Sequence, residues 1–263
     1  MNNIERAFDH GKAFIAFITC GDPDLETTAA CVRAAVKGGE AAPGGADLIE
    51  LGIPFSDPTA EGPVIQAANE RALKGGVTTD SIFEMVRELR KDVSVPMVFM
   101  TYANVVYSYG IERFCDRCVE VGIDGMILPD VPYEEKEEFT PACRARGLSF
   151  ISLIAPTSEK RIAMIAREAE GFLYIVSSMG VTGVRSEITT DIGAMVKVAR
   201  EHTNIPCAVG FGISTPVQAK RMADLSDGAI VGSAIVRLIA EHGKDAPEYV
   251  YEYVKSMKKG MGA

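Results

Sequence analysis

The chain has 263 residues, 47% of them hydrophobic and 24% charged. That is the composition of a soluble globular protein with enough apolar material for a large core. A net charge of -9 and a pI near 5.0 exclude a polyanion such as nucleic acid as the main partner. They leave room for a single phosphate held by backbone N–H groups.

From the N-terminus, Glu5 and Asp9 flank no long apolar core, and the apolar run Ala13–Thr19 is too short for a convincing signal peptide. No uninterrupted apolar stretch approaches the ~18 residues of a membrane span. A cytoplasmic protein is expected. Short β-rich runs then recur along the chain: Ala13–Thr19, Asp47–Leu51, Pro96–Met100, Gly125–Leu128, Ser149–Ile154, Leu173–Ser177, Cys207–Gly210 and Gly228–Gly232. Most are apolar throughout rather than alternating, as in parallel strands covered on both faces.

Between the runs lie amphipathic segments predicted as helices: Leu25–Lys37, Asp80–Lys91, Ile111–Val121, Glu134–Arg146, Ser158–Ala169, Asp191–Glu201 and Pro216–Leu225. Asp80 and Ser158 are candidate N-caps, and Gly122 follows the end of the third segment. Strands alternating with helices in this way predict a single (β/α)8 TIM barrel over residues 1–263, with an open doubly wound sheet as the alternative. An additional helix, Val64–Lys74, follows the second strand. The Gly/Ala/Pro-rich segment 38–45 enters that strand from the N-terminal face of a barrel and reads as a surface insertion without a chemical role.

Six cysteines are scattered at positions 20, 31, 115, 118, 143 and 207. Cys115 and Cys118 form a CxxC within a predicted helix, with no second pair and no nearby His. A closed zinc site needs four ligands, so buried reduced thiols are expected and no metal.

The second strand carries a charge where burial is expected. Glu50 lies near its C-terminal end, where barrel enzymes place catalytic groups and where a buried carboxyl shifts its pKa upward. A pairing with an unseen Lys or Arg explains the residue equally well. The loop 52–63 (GIPFSDPTAEGP) holds three prolines and two glycines, so it is both long and stiffened. Such loops carry function more often than not. It also brings a second carboxylate, Glu61, which could fold back over the mouth towards Glu50, and two separated carboxylates can divide proton-transfer roles.

Two glycine groups close the chain's last two strands: Gly210-Phe211-Gly212 and Gly232-Ser233. Loops in these places are the recurrent phosphate site of such barrels. Neither group contains Lys or Arg, so the grip would come from backbone N–H groups. After the sixth run, the glycines of segment 177–185 suit a lid or an ordinary surface loop.

Taken together these segments resemble the alpha-subunit family of tryptophan synthases. The resemblance is carried by ELGIPFSDP at 50–58, GPVIQ at 62–66, PDVP at 129–132, GVTG at 180–183, GFGIS at 210–214 and GSAIV at 232–236, in the family's order over almost the whole chain. It implies a lyase that splits indole-3-glycerol phosphate into indole and glyceraldehyde 3-phosphate by general acid/base retro-aldol chemistry. No cofactor is implied in this chain, and pyridoxal phosphate is expected in a beta subunit that docks on it as an α2β2 heterotetramer.

By that resemblance Glu50 is the proton-transfer residue at indole C3 and at the glycerol hydroxyl, and Glu61 is the carboxylate that receives the indole N–H. Phe17, Tyr174 and Phe211 line the pocket, while Gly183, Gly212, Gly232 and Ser233 hold the phosphate. Thr182 reaches the second carboxylate from a closing lid. Pro54, Asp57 and Pro58 form part of the partner interface, with Asp57 a candidate for signalling.

Two departures stand out. The family has Asp where this chain has Glu61, and an additional methylene moves a carboxylate by about an angstrom, a displacement that can cost roughly a hundredfold in rate. Many relatives carry Arg where this chain has Ser178, which bears on how the lid is anchored. Glu61 therefore keeps open an alternative in which intrinsic cleavage is weak and the chain mainly regulates its beta partner. Another phosphate-binding barrel, the synthase of indole-glycerol phosphate, would be expected to use a strand-end lysine, and none is found here.

Overall fold

The computed structural model describes residues 3–37, 44–177, 191–210 and 212–262. A short helix α1 (Asn3–Arg6) leads into β1 (Ala13–Thr19), α2 (Leu25–Val36) and β2 (Leu48–Gly52). Two helices follow before the next strand, α3 (Pro63–Lys74) and α4 (Thr79–Leu89), so the additional helix expected after the second strand is present. Then come β3 (Met97–Met100), α5 (Ala103–Tyr109), α6 (Ile111–Val121), β4 (Gly125–Ile127) and α7 (Thr140–Arg144). The fifth run is two short pieces, β5 (Ser149–Phe150) and β6 (Leu153–Ile154), followed by α8 (Glu159–Arg167) and β7 (Leu173–Val176). The chain finishes with α9 (Ile192–Arg200), β8 (Cys207–Gly210), α10 (Pro216–Leu225), β9 (Gly228–Val231), α11 (Ser233–His242) and α12 (Ala246–Met261).

Every strand pair is parallel, in the order β5-β4-β3-β2-β1-β9-β8-β7-β6. The first and last strands pair, with Ala13 opposite Gly228 and Ala16 opposite Val231. The two ends of the order are consecutive in the chain and linked through Ile151 and Ser152. There the backbone passes from one neighbour to the other: Ile151 N donates to Met126 O at 2.9 Å, and Ser152 O accepts from Tyr174 N at 3.0 Å. The circle is a (β/α)8 barrel, and this closure rules out the open doubly wound sheet. It also explains why 149–154 is not one ladder, since each residue at the handover pairs on one side only.

Side-chain alternation along the strands builds two cores. On β1, Phe14, Ala16 and Ile18 face the helices, while Ile15 and Phe17 join Leu48, Val98, Ile127, Ile151 and Tyr174 inside the barrel. Each such residue, fully buried, contributes about 1.5–3 kcal/mol. α1 plugs the N-terminal end, where Ile4 is buried and Phe8 packs on Phe172 at 6.0 Å between ring centroids.

Local chemistry corrects several expected boundaries. The N-cap of α4 is Thr78 rather than Asp80, because Thr78 and Ser81 exchange capping bonds of 2.9 and 3.2 Å. Asp80 instead accepts the hydroxyl of Tyr109. The helix expected over 134–146 is a 3-10 turn (Tyr133–Glu138) followed by α7, since Pro141 lacks the N–H that a continuous helix would use. Ser158 and Gly122 do cap α8 and α6, Gly122 in the left-handed conformation at φ 85°. All six thiols are free and buried, Cys115 and Cys118 on the inner face of α6. Residues 38–43, most of the expected insertion, lie outside the described residues.

Candidate active site

On β2 the interior positions are Leu48, Glu50 and Gly52, so the strand's own alternation turns Glu50 inward. Its Cα pairs with Phe17 of β1 and Val98 of β3. Glu50 is 1% exposed, and neither carboxyl oxygen has a hydrogen-bond partner. Burial alone pushes its pKa up to about 8, with no charged neighbour contributing. Among the described residues no Lys or Arg pairs with it. A carboxyl that is neutral yet able to ionise near neutrality suits proton transfer in both directions.

Tyr174 of β7 is also inside and buried, and its hydroxyl is raised well above the ordinary value by burial and, next, by the charge of Glu50. Glycines make room for the pocket's rings. A Cβ on Gly210 of β8 would lie 2.6 Å from Cε1 of Tyr174, and one on Gly52 would lie 2.6 Å from Cζ of Phe17. Gly232 flanks the same Phe17 ring on its other side, at 3.2 Å from Cδ1. Phe17 thus lies between the strand of Glu50 and the last strand, held by glycine backbone on both sides.

Gly232 is also the N-cap of α11, a helix the sequence reading did not anticipate, and no side chain caps it. With Ser233 as its first residue, the N–H groups of this first turn open towards the end of β9. Gly212, after β8, adopts φ 79°, the left-handed conformation that favours glycine. Backbone N–H groups at a helix N-terminus can take up an anion such as phosphate. Phe211, Thr182 and Gly183, with Ser178, lie outside the described residues.

The loop after β2 is fastened to the end of β3. Ile53 N donates to Met100 O at 2.9 Å, Thr101 Oγ1 to Ile53 O at 3.4 Å, and Phe55 packs on Tyr102 at 5.2 Å. The Tyr102 hydroxyl accepts the N–H groups of Thr59 at 3.0 Å and Ala60 at 2.8 Å, then donates to the carboxylate of Glu61. Glu61 is 7% exposed; burial raises its pKa, while the bond from Tyr102 opposes the rise. Its carboxylate is therefore seated on Tyr102, with Asp130 as a further charged neighbour, rather than set against Glu50.

Sequence reasoning missed Tyr102. The tyrosine directly after an apolar strand was visible, but its role depends on where the loop from β2 comes to rest. Asp130, within the PDVP segment, accepts the first N–H of α5 from Ala103. Of the expected partner-facing residues, Asp57 is exposed, Pro58 half-buried and Pro54 buried.

Beside the mouth a cavity of about 560 Å³ is lined by Thr59 and Ala60 of this loop, by Pro129 and Pro132, and by Leu153 and Val176. Thr59 and Ala60 adjoin Glu61, and Val176 is the next interior residue after Tyr174. Among the described residues no group of three or more His, Cys, Asp or Glu could hold a metal ion. No helix among them is long and apolar enough to cross a membrane.

A family model described as tryptophan synthase alpha chain matches residues 5–262. The tryptophan synthase alpha chain of Lacticaseibacillus casei is 46% identical over 263 residues, covering 100% of this chain and 97% of that protein. The crystal structure of the tryptophan synthase alpha subunit of Legionella pneumophila superposes with a TM-score of 0.86 at 35% identity, covering 100% of this chain and 99% of that one. A chain from the tryptophan synthase α2β2 complex of Pyrococcus furiosus gives a TM-score of 0.84 at 34% identity, with 94% and 98% covered.

Proposed function

The chain belongs to the tryptophan synthase alpha chain family, and from that premise we propose how its residues divide the family's reaction. It is a lyase that cleaves indole-3-glycerol phosphate to indole and glyceraldehyde 3-phosphate in tryptophan biosynthesis. It works with a beta subunit, as in the α2β2 complex of its structural relative.

Glu50 is the acid and then the base. In its neutral form it delivers a proton to C3 of the indole, which weakens the bond to the glycerol chain. The resulting carboxylate takes the proton of the hydroxyl on the adjacent carbon; that carbon becomes the aldehyde as the C–C bond breaks, and indole leaves. The proton balance closes and Glu50 is neutral again. Its burial without a partner is the observation that carries this reading.

Glu61, positioned by Tyr102, accepts the indole N–H and steadies the charge that protonation at C3 creates on the ring. Phe17 and Tyr174 confine the substrate, with Phe211 a third aromatic from the family pattern. By the family pattern Gly183, Gly212, Gly232 and Ser233 hold the phosphate with backbone N–H groups, those of Gly232 and Ser233 at the start of α11, and Thr182 is the residue that reaches Glu61. Pro54, Asp57 and Pro58 belong to the partner-facing loop, Asp57 being its exposed charge.

The chemistry asks for no cofactor in this chain, and pyridoxal phosphate belongs to the beta partner in this reading. One domain over residues 1–263 is supported by the pairing of the first strand with the last. A cytoplasmic setting is supported by six free, buried thiols. No finding favours the regulatory alternative that Glu61 raised. The test is direct: the purified chain with its beta partner releases indole and glyceraldehyde 3-phosphate in equal amounts from indole-3-glycerol phosphate. Absence of both products contradicts the assignment.

A further inference from the structure

Among the described residues, four buried side-chain polar atoms have no hydrogen-bond partner: both carboxyl oxygens of Glu50, Thr19 Oγ1 and Thr140 Oγ1. Such orphans are uncommon because a buried hydroxyl without a partner has lost its water and gained nothing. Thr140 begins α7, outside the barrel. Thr19 is different. It ends β1, on the same face as Ile15 and Phe17, so its side chain turns into the barrel, and it is 1% exposed.

The register sets its height. Phe17 pairs with Glu50, and Thr19 pairs with Gly52, one interior layer closer to the mouth. On the other side of β1 the ladder runs Ala16 to Val231, so Gly232 lies one residue further on, against the Phe17 ring. β1 thus stands between the strand bearing the proton-transfer group and the strand leading to the α11 N-terminus. A substrate reacting at Glu50 and anchored by its phosphate at α11 has to lay the connecting glycerol chain across β1. The only side chain of β1 at that level with a hydrogen-bonding group facing inward is Thr19.

We propose that Thr19 is a further substrate-binding residue, its hydroxyl hydrogen-bonding a hydroxyl of the glycerol chain and fixing that chain between Glu50 and the phosphate cradle. The inference rests on the lyase reading of the site. Threonine is also a good strand former, and a merely structural role would need only its β-branched shape. Thr19→Val keeps that shape and removes the hydroxyl, which has no partner to lose, so the fold should not suffer.

The experiment compares wild type, Thr19→Val, Thr19→Ser and the control Thr140→Val in complex with the beta partner. Cleavage of indole-3-glycerol phosphate is measured together with the Kd of indolylpropyl phosphate, which lacks both glycerol hydroxyls. The expected result is a 10- to 100-fold fall in kcat/KM for Thr19→Val, restored to within threefold of wild type by Thr19→Ser. The Kd of the hydroxyl-free analogue, the melting temperature and the kinetics of Thr140→Val are expected to stay unchanged. A Thr19→Val variant as active as wild type overturns the proposal, as does a loss that extends equally to the analogue or to Thr19→Ser. Wild-type cleavage is the separate check: if it is absent, the lyase reading fails; if it is present, any failure belongs to Thr19 alone.

Discussion

A carboxyl group on the interior face of a barrel strand, stripped of water and given no hydrogen bond in return, keeps its proton up to about pH 8. Because the first step needs the acid form of Glu50, kcat/KM for cleavage is expected to fall as pH rises above about 8. The same burial acts on stability. In the unfolded chain the group titrates near its ordinary 4.5, so its contribution is fully present below that pH and is lost as pH rises through the folded value. Glu50→Gln removes the conflict. A tenfold difference in proton affinity between the folded and unfolded chain is worth about 1.4 kcal/mol. Thermal unfolding should therefore show Glu50→Gln more stable than wild type by on the order of 4 kcal/mol at pH 8 and nearly equal at pH 4. A variant no more stable at pH 8 contradicts the burial account. Glu50 was legible in the sequence because one charge interrupts an apolar strand. What the sequence left even, an ion pair or a lone carboxyl, depends on what faces it across the barrel, and that is a property of closure.

At the scale of the element, the loop after β2 is a latch on the end of β3, and Tyr102 is its fastening. Its stiffness was readable from three prolines, but not its resting place, because Glu61 meets a tyrosine 41 residues away. The Glu61 side chain reaches a phenol that is itself fixed by two backbone N–H groups. Tyr102→Phe and Glu61→Gln are each expected to lower kcat for cleavage by about 10- to 100-fold. The double variant should be no worse than the poorer single one, an interaction of about 1–2 kcal/mol in a double-mutant cycle. Strict additivity would show that the bond does not position Glu61. Elements recognised by pattern, such as β1, α6, β8 and α10, coincide with their expected bounds. Helices α11 and α12 lie beyond the eighth run, where the alternation of strands and helices calls for no further element, although their apolar spacing is helical.

For the molecule as a whole, the ring of helices is sealed by the last one, α12, which packs against α2 and α10. Lys258 of α12 is 8% exposed in its side chain and pairs with Asp47, which also accepts the N–H of Phe14 at 2.6 Å. A contact between residues 211 positions apart has no local sequence signal. Removing one member of a buried pair leaves the other uncompensated, so Lys258→Met is expected to destabilise by about 3–5 kcal/mol in denaturant unfolding. The companion change Asp47→Leu should recover much of that loss; a neutral single variant would show that the seal contributes little. The alternation of apolar runs and helices made the barrel class legible, whereas its closure and its seal came only with the structure. The chemistry depends on the carboxyl this scaffold holds inside the barrel. Its most direct test is cleavage of indole-3-glycerol phosphate by Glu50→Gln in complex with the beta partner, measured beside the Kd of indolylpropyl phosphate. The account predicts an unchanged Kd and cleavage reduced by at least about a thousandfold, within the range of general acid/base catalysis; turnover within tenfold of wild type would contradict it.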